Sequence, residues 1–515
     1  MSSKRRVASN LVLMGTVQIG TWGLSFAYTF LTTRWLGATR VGALTYIGSV
    51  LSLLGLVAGL GLDTYITRAV ARVPQRGSAL ASASLVVRAA LIAPALVALV
   101  VWVHVDNKFS PDMRVAGYIS VVGLALGLLA GVLLATFQGH EKMSYGAAWT
   151  LSQNVLSLGL AAVIIIVFRQ KSIIAFAAVG TLLDVILLAL NLYLIRRYAR
   201  LTLRVSRADI VEVLKGGLSF WAKNIVLQVY IVVDTIILGK LIDTHAVGIY
   251  KPATVLFSVT LFLPGVISVA TLPLLSRLGT DVQHDFERVG RKSLELLIAT
   301  GVPVTIGLAT FAGPLVAVLF GPEFSAAVPV VVTISFCVIP TYINVQLAQM
   351  LIARDKELLW TGVMVVGGAI NIALNYALIP VAQTRLHNGA LGAAGVLFVT
   401  ETFMALCAMV LMRRVVFHRA LAVTALGACA AGAAQFVAWD LTLTMWAPLG
   451  QAISVGVYAC VGILLGVLPY DEIMLIWDIV SRQARRLLNP ATLARPPAPE
   501  ITPAPREDIV SSGTA

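Results

Sequence analysis

The chain has 515 residues, of which 58% are hydrophobic and only 12% charged, against about 25% charged in an ordinary soluble protein. That balance excludes a sizeable soluble catalytic domain: fourteen helices of about 24 residues, each exceeding the ~20 that cross a bilayer, use roughly 336 residues and leave about 180 for tails and loops. The formal charge of +14 would suggest nucleic acid in a soluble protein, but here it reads as a topology signal, and no nucleic-acid partner is expected.

The basic run Lys4-Arg5-Arg6 precedes an apolar stretch at 10–33. This stretch is too long for a signal-peptide core and no small-residue cleavage site follows it, so it is expected to be the first transmembrane helix. Apolar runs of spanning length then fall at 41–62, 85–103, 116–138, 145–168, 172–195, 217–239, 248–275, 293–320, 326–352, 358–380, 389–412, 419–439 and 448–468. They are continuous rather than alternating with period two, which excludes a β-barrel. The expected fold class is an all-α polytopic membrane protein with about 14 transmembrane helices. After Pro469, the stretch DEIMLIWDIVSRQARRLL (471–488) has Ile473, Ile476, Trp477 and Val480 on one side and is expected to lie along the interface. From Pro490 the composition turns to Pro, Ala, Ser and Thr, as in a disordered tail. The cysteines, Cys337, Cys407, Cys429 and Cys460, sit in apolar runs with no metal or disulfide spacing.

Basic residues test the orientation. With the N-terminus in the cytoplasm and sides alternating, 27 of the 38 Lys and Arg fall in cytoplasmic segments. Nine fall on the opposite side: Arg34, Arg40, Lys108, Arg114, Arg169, Lys171, Lys240, Lys251 and Arg385. The excess supports an inner (cell) membrane protein with both termini cytoplasmic.

Two halves of the chain resemble each other. DVILLALNLYLIRR (184–197) lies over ETFMALCAMVLMRR (401–414), pairing Asp184 with Glu401. The same offset of 217 places Asn154 on Asn371. At an offset of 206, RWLGATRVGALTY (34–46) lies over KLIDTHAVGIYKP (240–252), matching Val41-Gly42 with Val247-Gly248. A six-helix unit has even parity, so both copies enter the membrane in the same direction and face each other around a central cavity, the geometry of a transporter. The expected organisation is an N-terminal lobe at 1–200, a C-terminal lobe at 201–415, two added helices at 416–470, the interfacial helix at 471–489 and the tail at 490–515.

Three stretches carry a further resemblance: LGATRVGALTYIGSVLSLLGLVAGLGLDTYITRAVAR (36–72), VDTIILGKLIDTHAVGIYKPATVL (233–256) with LPGVISVATLPLLSRL (263–278), and FGPEFSAAVPVVVTISFCVIPTYINVQLAQMLIARDKE (320–357). They resemble the prokaryotic oligosaccharide flippases (O-antigen type) of the multidrug/oligosaccharidyl-lipid/polysaccharide exporter superfamily. The resemblance implies a two-lobed fold of 12 to 14 helices that moves a polyprenyl-(pyro)phosphate-linked glycan across the membrane without making or cutting it. Lipid II flippases of the superfamily usually carry an Arg-Asp pair halfway along the first helix, where Tyr28 and Thr29 stand here. Multidrug exporters generally have twelve helices. Lipid II flipping and ion-coupled drug export remain the alternatives, and an enzyme such as a glycan polymerase lacks the external loops it would need.

Ionisable residues inside spans are costly and mark candidate sites. Lys223, Tyr230 and Asp234 share one face of the seventh segment. Lys223 either meets a lipid-linked phosphate or reaches back to the cytoplasmic interface. Asp184 and Glu401 are candidates for binding a coupling ion, H⁺ or Na⁺; the alternative is a structural carboxylate in each lobe. Arg88 is either a substrate contact or a snorkelling side chain. Gln18, Trp22, Gln349, Asn371 and Asn375 could bond sugar hydroxyls, as could Tyr342, or could join helices. Asp63 and Arg68 form a candidate gate latch. Pro252, Pro264 and Pro273 predict a bend in the eighth segment, with Gly265 beside it. No cofactor is expected beyond a coupling ion. Expected partners are the lipid-linked glycan and membrane lipids, with a glycan polymerase or ligase of the same pathway as a candidate; the protein is expected to be a monomer.

Overall fold

A computed structural model of the protein describes residues 3–106, 108–140, 143–196, 205–278 and 283–468, without the side chains of 3–19, 143–145, 147, 223, 269, 270, 273 and 283. The expected interfacial helix and tail lie outside the described residues. Within them there is no β-strand. Among the described residues, twelve helices are long and apolar enough to cross a membrane, thirteen when one bent pair counts as a span.

The helices follow the apolar runs in chain order. The first half contains α1 (Ser3–Leu36), α2 (Ala38–Gly59), α3 (Leu62–Arg72), α4 (Gly77–Val105), α5 (Pro111–Gly139), α6 (Met143–Val163) and α7 (Ile173–Ile195). The second contains α8 (Arg207–Leu241), α9 (Thr244–Thr260), α10 (Phe262–Leu278), α11 (Gln283–Thr310), α12 (Ala312–Leu319), α13 (Val328–Ser335), α14 (Val338–Ala353), α15 (Glu357–Leu386) and α16 (Gly389–Leu411). A single turn, α17 (Arg413–Val416), leads to α18 (Arg419–Leu441) and α19 (Ala447–Leu464). Polar caps set several starts: Ser110 accepts from the Met113 amide, Asp243 from Ala246 and Asn388 from Leu391, each satisfying an amide that the helix cannot.

Several spans are broken rather than straight. The second is divided at Leu60 and Gly61, whose φ values are 45° and 64°. A Cβ on Gly61 would lie 2.7 Å from the Gly217 carbonyl oxygen, so both backbone and space demand glycine. The eighth is interrupted at Leu261, between α9 and α10. Pro264 has no amide to donate to the Thr260 carbonyl four residues earlier, and the Tyr342 hydroxyl donates to that oxygen at 2.6 Å instead. The same device recurs in α11, where Pro303 frees the Ala299 carbonyl and Tyr458 donates to it at 2.5 Å. Backbone groups in a bilayer need such internal partners. The pair α13 and α14 bends by 45°.

Helix neighbours in the first half recur in the second. α1 packs on α6, α4 on α5 and α5 on α7; correspondingly, α8 packs on α15, α11 on α14 and α14 on α16. α18 and α19 pack on each other and on α11. The halves meet where α2 crosses α9. A Cβ on Gly42 would sit 1.7 Å from the Thr244 carbonyl oxygen, and one on Gly248 would sit 1.9 Å from that of Ala38. Ala38 and Thr244, like Gly42 and Gly248, stand at the repeat offset of 206. Each glycine therefore admits the backbone of the opposite helix, a small-residue crossing made twice.

Two further contacts between the halves flank this crossing, one on each side of the helical layer. Beside the starts of α2 and α9, the Ala38 amide donates to Glu323 Oε1 at 2.9 Å and Arg34 donates to the Val318 carbonyl at 2.7 Å. At the other end, α3 packs on the start of α8: Tyr65 donates to Glu212 at 3.0 Å, and Arg76 pairs with Asp209 at 2.6 Å and Glu212 at 2.9 Å.

Candidate functional site

α8 presents different side chains to the two halves. Toward α2, Trp221 donates to the Leu56 carbonyl at 3.0 Å and Gln228 to Ser52 Oγ at 2.6 Å. Tyr230 and Asp234 instead enter the interior of the C-terminal half. Tyr230 donates to Glu401 Oε1 at 2.8 Å, and Asn344 on α14 donates to Glu401 Oε2 at 2.8 Å. Asn375 on α15 donates to Asp234 Oδ1 at 2.6 Å and to Asn371 Oδ1 at 2.9 Å, while Tyr250 on α9 donates to Asp234 Oδ2 at 3.4 Å. Asp234, Glu401 and the three asparagines are all buried.

This cluster draws on five helices and is rich in acceptors. No Lys, Arg or His among the described residues forms an ion pair with Asp234 or Glu401. Two buried amide oxygens, Asn344 Oδ1 and Asn375 Oδ1, have no hydrogen-bond partner. Carboxylate and amide oxygens are the hard donors that alkali cations take, and a buried carboxylate without a cation is equally suited to a proton.

A second site lies between the halves, beneath the α2–α9 crossing. Here a cavity of 370 Å³ is outlined on the α1–α2 side by Tyr28, Thr29, Thr32, Thr45 and Ser49, with Lys251 of α9 opposite. Thr29, Thr32, Thr45 and Ser49 donate to carbonyls of their own helices, which leaves their oxygen lone pairs as acceptors. Lys251 forms no ion pair among the described residues. The wall thus offers one ammonium donor and several hydroxyl oxygens, a combination able to hold an anionic group beside a polyol.

Lys251 was expected on the opposite side's surface, counted among the nine basic residues there. It lies two turns inside α9 (Thr244–Thr260), half-buried on the cavity wall. The signal was its place within the apolar run that starts at Gly248, one residue before Pro252.

The remaining candidates are dispersed. Arg88 neither snorkels nor reaches a cavity: it is fully buried in α4, paired with Asp63 at 2.8 Å and donating to the carbonyls of Leu128 at 2.6 Å and Gly59 at 2.8 Å. Gly59 is the last residue of α2, so Arg88 caps a carbonyl left over by the α2–α3 break. Asp63 is therefore joined to Arg88 rather than Arg68, and the expected Asp63–Arg68 latch is not formed. The Arg68 guanidinium lies 4.9 Å from the centre of the Phe220 ring. Trp22 packs edge-on against Phe262, with ring centres 5.0 Å apart. Gln349 is half-buried in α14, outside both sites. Tyr342 is committed to the Thr260 carbonyl. The side chains of Gln18 and Lys223 lie outside the described residues.

Asp184 departs from its repeat partner. It is half-buried against α5, its Oδ2 2.9 Å from where a Cβ on Gly123 would stand, and it has none of the amide and hydroxyl donors that surround Glu401. Asn154 likewise donates to the Thr150 carbonyl of its own helix at 2.8 Å, whereas Asn371 belongs to the cluster. Sequence pairing identified corresponding positions, but the buried carboxylate–asparagine cluster belongs to the second half.

An all-α bundle of membrane-spanning length, whose halves repeat each other's helix pairings around a cavity between them, is a two-lobed polytopic membrane fold. The chain belongs to the polysaccharide biosynthesis protein family, which it matches over residues 7–279. It is 29% identical over 259 residues to the probable flippase AglR of Haloferax volcanii, a match covering 50% of this chain and 52% of that protein. The matched stretch thus spans about half the length of that relative. The probable low-salt glycan biosynthesis flippase Agl15 of the same organism is 22% identical over 390 residues, covering 72% of this chain and 76% of the relative. Among solved structures, the lipid II flippase MurJ in an inward closed conformation superposes with a TM-score of 0.71 at 12% identity, covering 90% of this chain and all of that one. An inward-facing multidrug resistance transporter of the MATE family gives 0.64 at 15% identity, covering 77% and 94%.

Proposed function

We propose that the protein is a flippase that carries a polyprenyl-linked oligosaccharide from the cytoplasmic to the outer leaflet of the cell membrane by alternating access, with both termini cytoplasmic. The observation that carries this reading is Lys251, a cation that forms no ion pair among the described residues and stands opposite hydroxyl groups in the cavity between the two halves. Its ammonium would hold the (pyro)phosphate, and the hydroxyl oxygens of Thr29, Thr32, Thr45 and Ser49 would accept from the first sugars. The polyprenyl chain would stay in lipid. The polysaccharide biosynthesis family match and the likeness to the glycan biosynthesis flippase Agl15 support a glycan as the cargo, and the likeness to the flippase AglR supports flipping as the activity.

The Asp234–Glu401 cluster supplies the coupling element in this reading. An H⁺ or Na⁺ bound among Asp234, Asn375 and Glu401 would change the charge at the junction of five helices and so bias the C-terminal half between arrangements. Export of a cationic compound is the second reading, because these buried carboxylates could attract one; the charge on the cavity between the halves is that of a lysine and disfavours it. A glycan polymerase or ligase of the same pathway would be the partner that receives the glycan.

The test is a proteoliposome assay with a fluorescent polyprenyl-pyrophosphate glycan. Lys251→Ala is expected to lower the flipping rate at least tenfold and Lys251→Arg to keep most of it. Failure of the unmodified protein to move any polyprenyl-linked glycan would overturn the reading.

A further inference from the structure

A second cavity, of 430 Å³, opens where α3 packs against the start of α8, at the end of the molecule opposite the α2–α9 contact. Its first wall carries Arg68 and Arg72, one turn apart on the same face of α3, and Arg76 in the short turn that follows the end of the helix. The opposite wall carries Glu212, Ser219 and Phe220. The arginines are not equivalent. Arg76 is held by Asp209 and Glu212, whereas Arg68 and Arg72 form no ion pair among the described residues. Arg68 is exposed and lies over the Phe220 ring, which orients its guanidinium and leaves its in-plane N–H donors open to a ligand.

Two free guanidiniums beside a third are a receptor for a group with several anionic oxygens, since each arginine offers paired N–H donors in a fixed fork. The third arginine makes the site conditional. Arg76 and Tyr65, both in the first half, are bound to Glu212 of the second. An anion that takes Arg76 must compete with Asp209 and Glu212, and so weakens a polar link between the halves. Close packing beneath leaves the link little slack: a Cβ on Gly216 would fall 2.2 Å from the Tyr65 ring.

We propose that this cavity is a loading vestibule for the phosphoryl group of a lipid-linked substrate, and that its occupation loosens the Arg76–Glu212 link between the halves. The site is separate from the Lys251 cavity, with which it shares no lining residue. Naming the ligand as polyprenyl pyrophosphate rests on the flippase reading; the anion chemistry does not. The same arginines would also accept the phosphodiester of an anionic phospholipid, and the experiment separates the two.

The purified full chain is placed in phosphatidylcholine nanodiscs, and binding of undecaprenyl pyrophosphate without glycan is measured directly. Arg68→Gln/Arg72→Gln is expected to weaken binding at least tenfold, and Arg68→Lys/Arg72→Lys to weaken it less than threefold. Glu212→Gln, which removes one of the two carboxylates that hold Arg76, is expected to tighten binding severalfold, a gain that misfolding does not mimic. Binding within twofold of the unmodified protein in both the double glutamine variant and Glu212→Gln would overturn the proposal, even if glycan flipping is intact. Equal competition by phosphatidylglycerol, nanodisc for nanodisc, would overturn the substrate assignment and leave a lipid headgroup site. Binding as proposed without any glycan flipping would support the vestibule and sink the transport reading alone.

Discussion

Tyr230 on α8 donates a 2.8 Å hydrogen bond to Glu401 on α16, so two residues 171 positions apart join the seventh and twelfth apolar segments inside the C-terminal half. The corresponding carboxylate of the first half, Asp184, has no such partner among the described residues. Glu401→Gln is therefore expected to lower transport at least tenfold, whereas Asp184→Asn should stay within about threefold. Parallel flipping rates in proteoliposomes check the asymmetry; equal losses would restore the equivalence that the repeat suggests.

Asp234 lies between Asn375 and Tyr250 with no cation in contact. Asp234→Asn keeps the shape and removes the charge. We expect it to fold normally but to lose the dependence of transport on the H⁺ or Na⁺ gradient, whichever drives the unmodified protein. Imposing each gradient separately across the vesicle distinguishes the ions, and an unchanged response in the variant would remove Asp234 from coupling.

Tyr458→Phe leaves the Ala299 carbonyl that Pro303 exposes without a donor. An orphaned buried acceptor costs about 1–3 kcal/mol. The variant should unfold several degrees below the unmodified protein in detergent, and Tyr458→Phe combined with Pro303→Ala should recover most of the loss because the helix supplies its own amide again. Additive losses in the double variant would refute the pairing.

Arg88→Met removes three hydrogen bonds from a charged donor, each contributing about 1.5–3 kcal/mol. Destabilisation should exceed that of Asp63→Asn, since the Asp63 side chain is 52% exposed and can turn to solvent, whereas the Leu128 and Gly59 carbonyls cannot. Thermal unfolding of the two variants ranks them, and a larger loss for Asp63→Asn would contradict the capping role.

The α2–α9 crossing must part if this side of the molecule opens. Cysteines at Ala38 and Thr244, in a background lacking the four native cysteines, are expected to crosslink on oxidation and to halt transport until reduced. Unimpeded transport with the crosslink intact would mean that the two helices stay together throughout the cycle.

The apolar runs made the helices legible because length and hydropathy are local properties, and the repeat was legible because duplicated sequence survives at Val41-Gly42 and Val247-Gly248. The breaks were only partly so: Pro264 and Gly265 predicted the interruption found at Leu261, but nothing local announced that Tyr342 and Tyr458 supply the missing donors. The site suffered from the same limit. Tyr230 and Asp234 do share a face, as their spacing predicts, yet spacing cannot say which neighbour that face meets. It meets α15 and α16 rather than the space between the halves. Arg88 and Asp63 are both polar residues near one end of the bundle, and only packing reveals that they serve a helix break.

The crossing at Gly42 and Gly248 also says something about origin. Each half presents the same patch, Ala38 with Gly42 or Thr244 with Gly248, to the same patch on the other, which is the geometry of an isologous contact in a twofold homodimer. A single six-helix ancestor bearing this patch would pair with its own copy through it. Fusion of two such copies would then have preserved the interface while freeing the interiors to diverge, one half burying Arg88 beside Asp63 and the other burying Asp234 and Glu401 among asparagines.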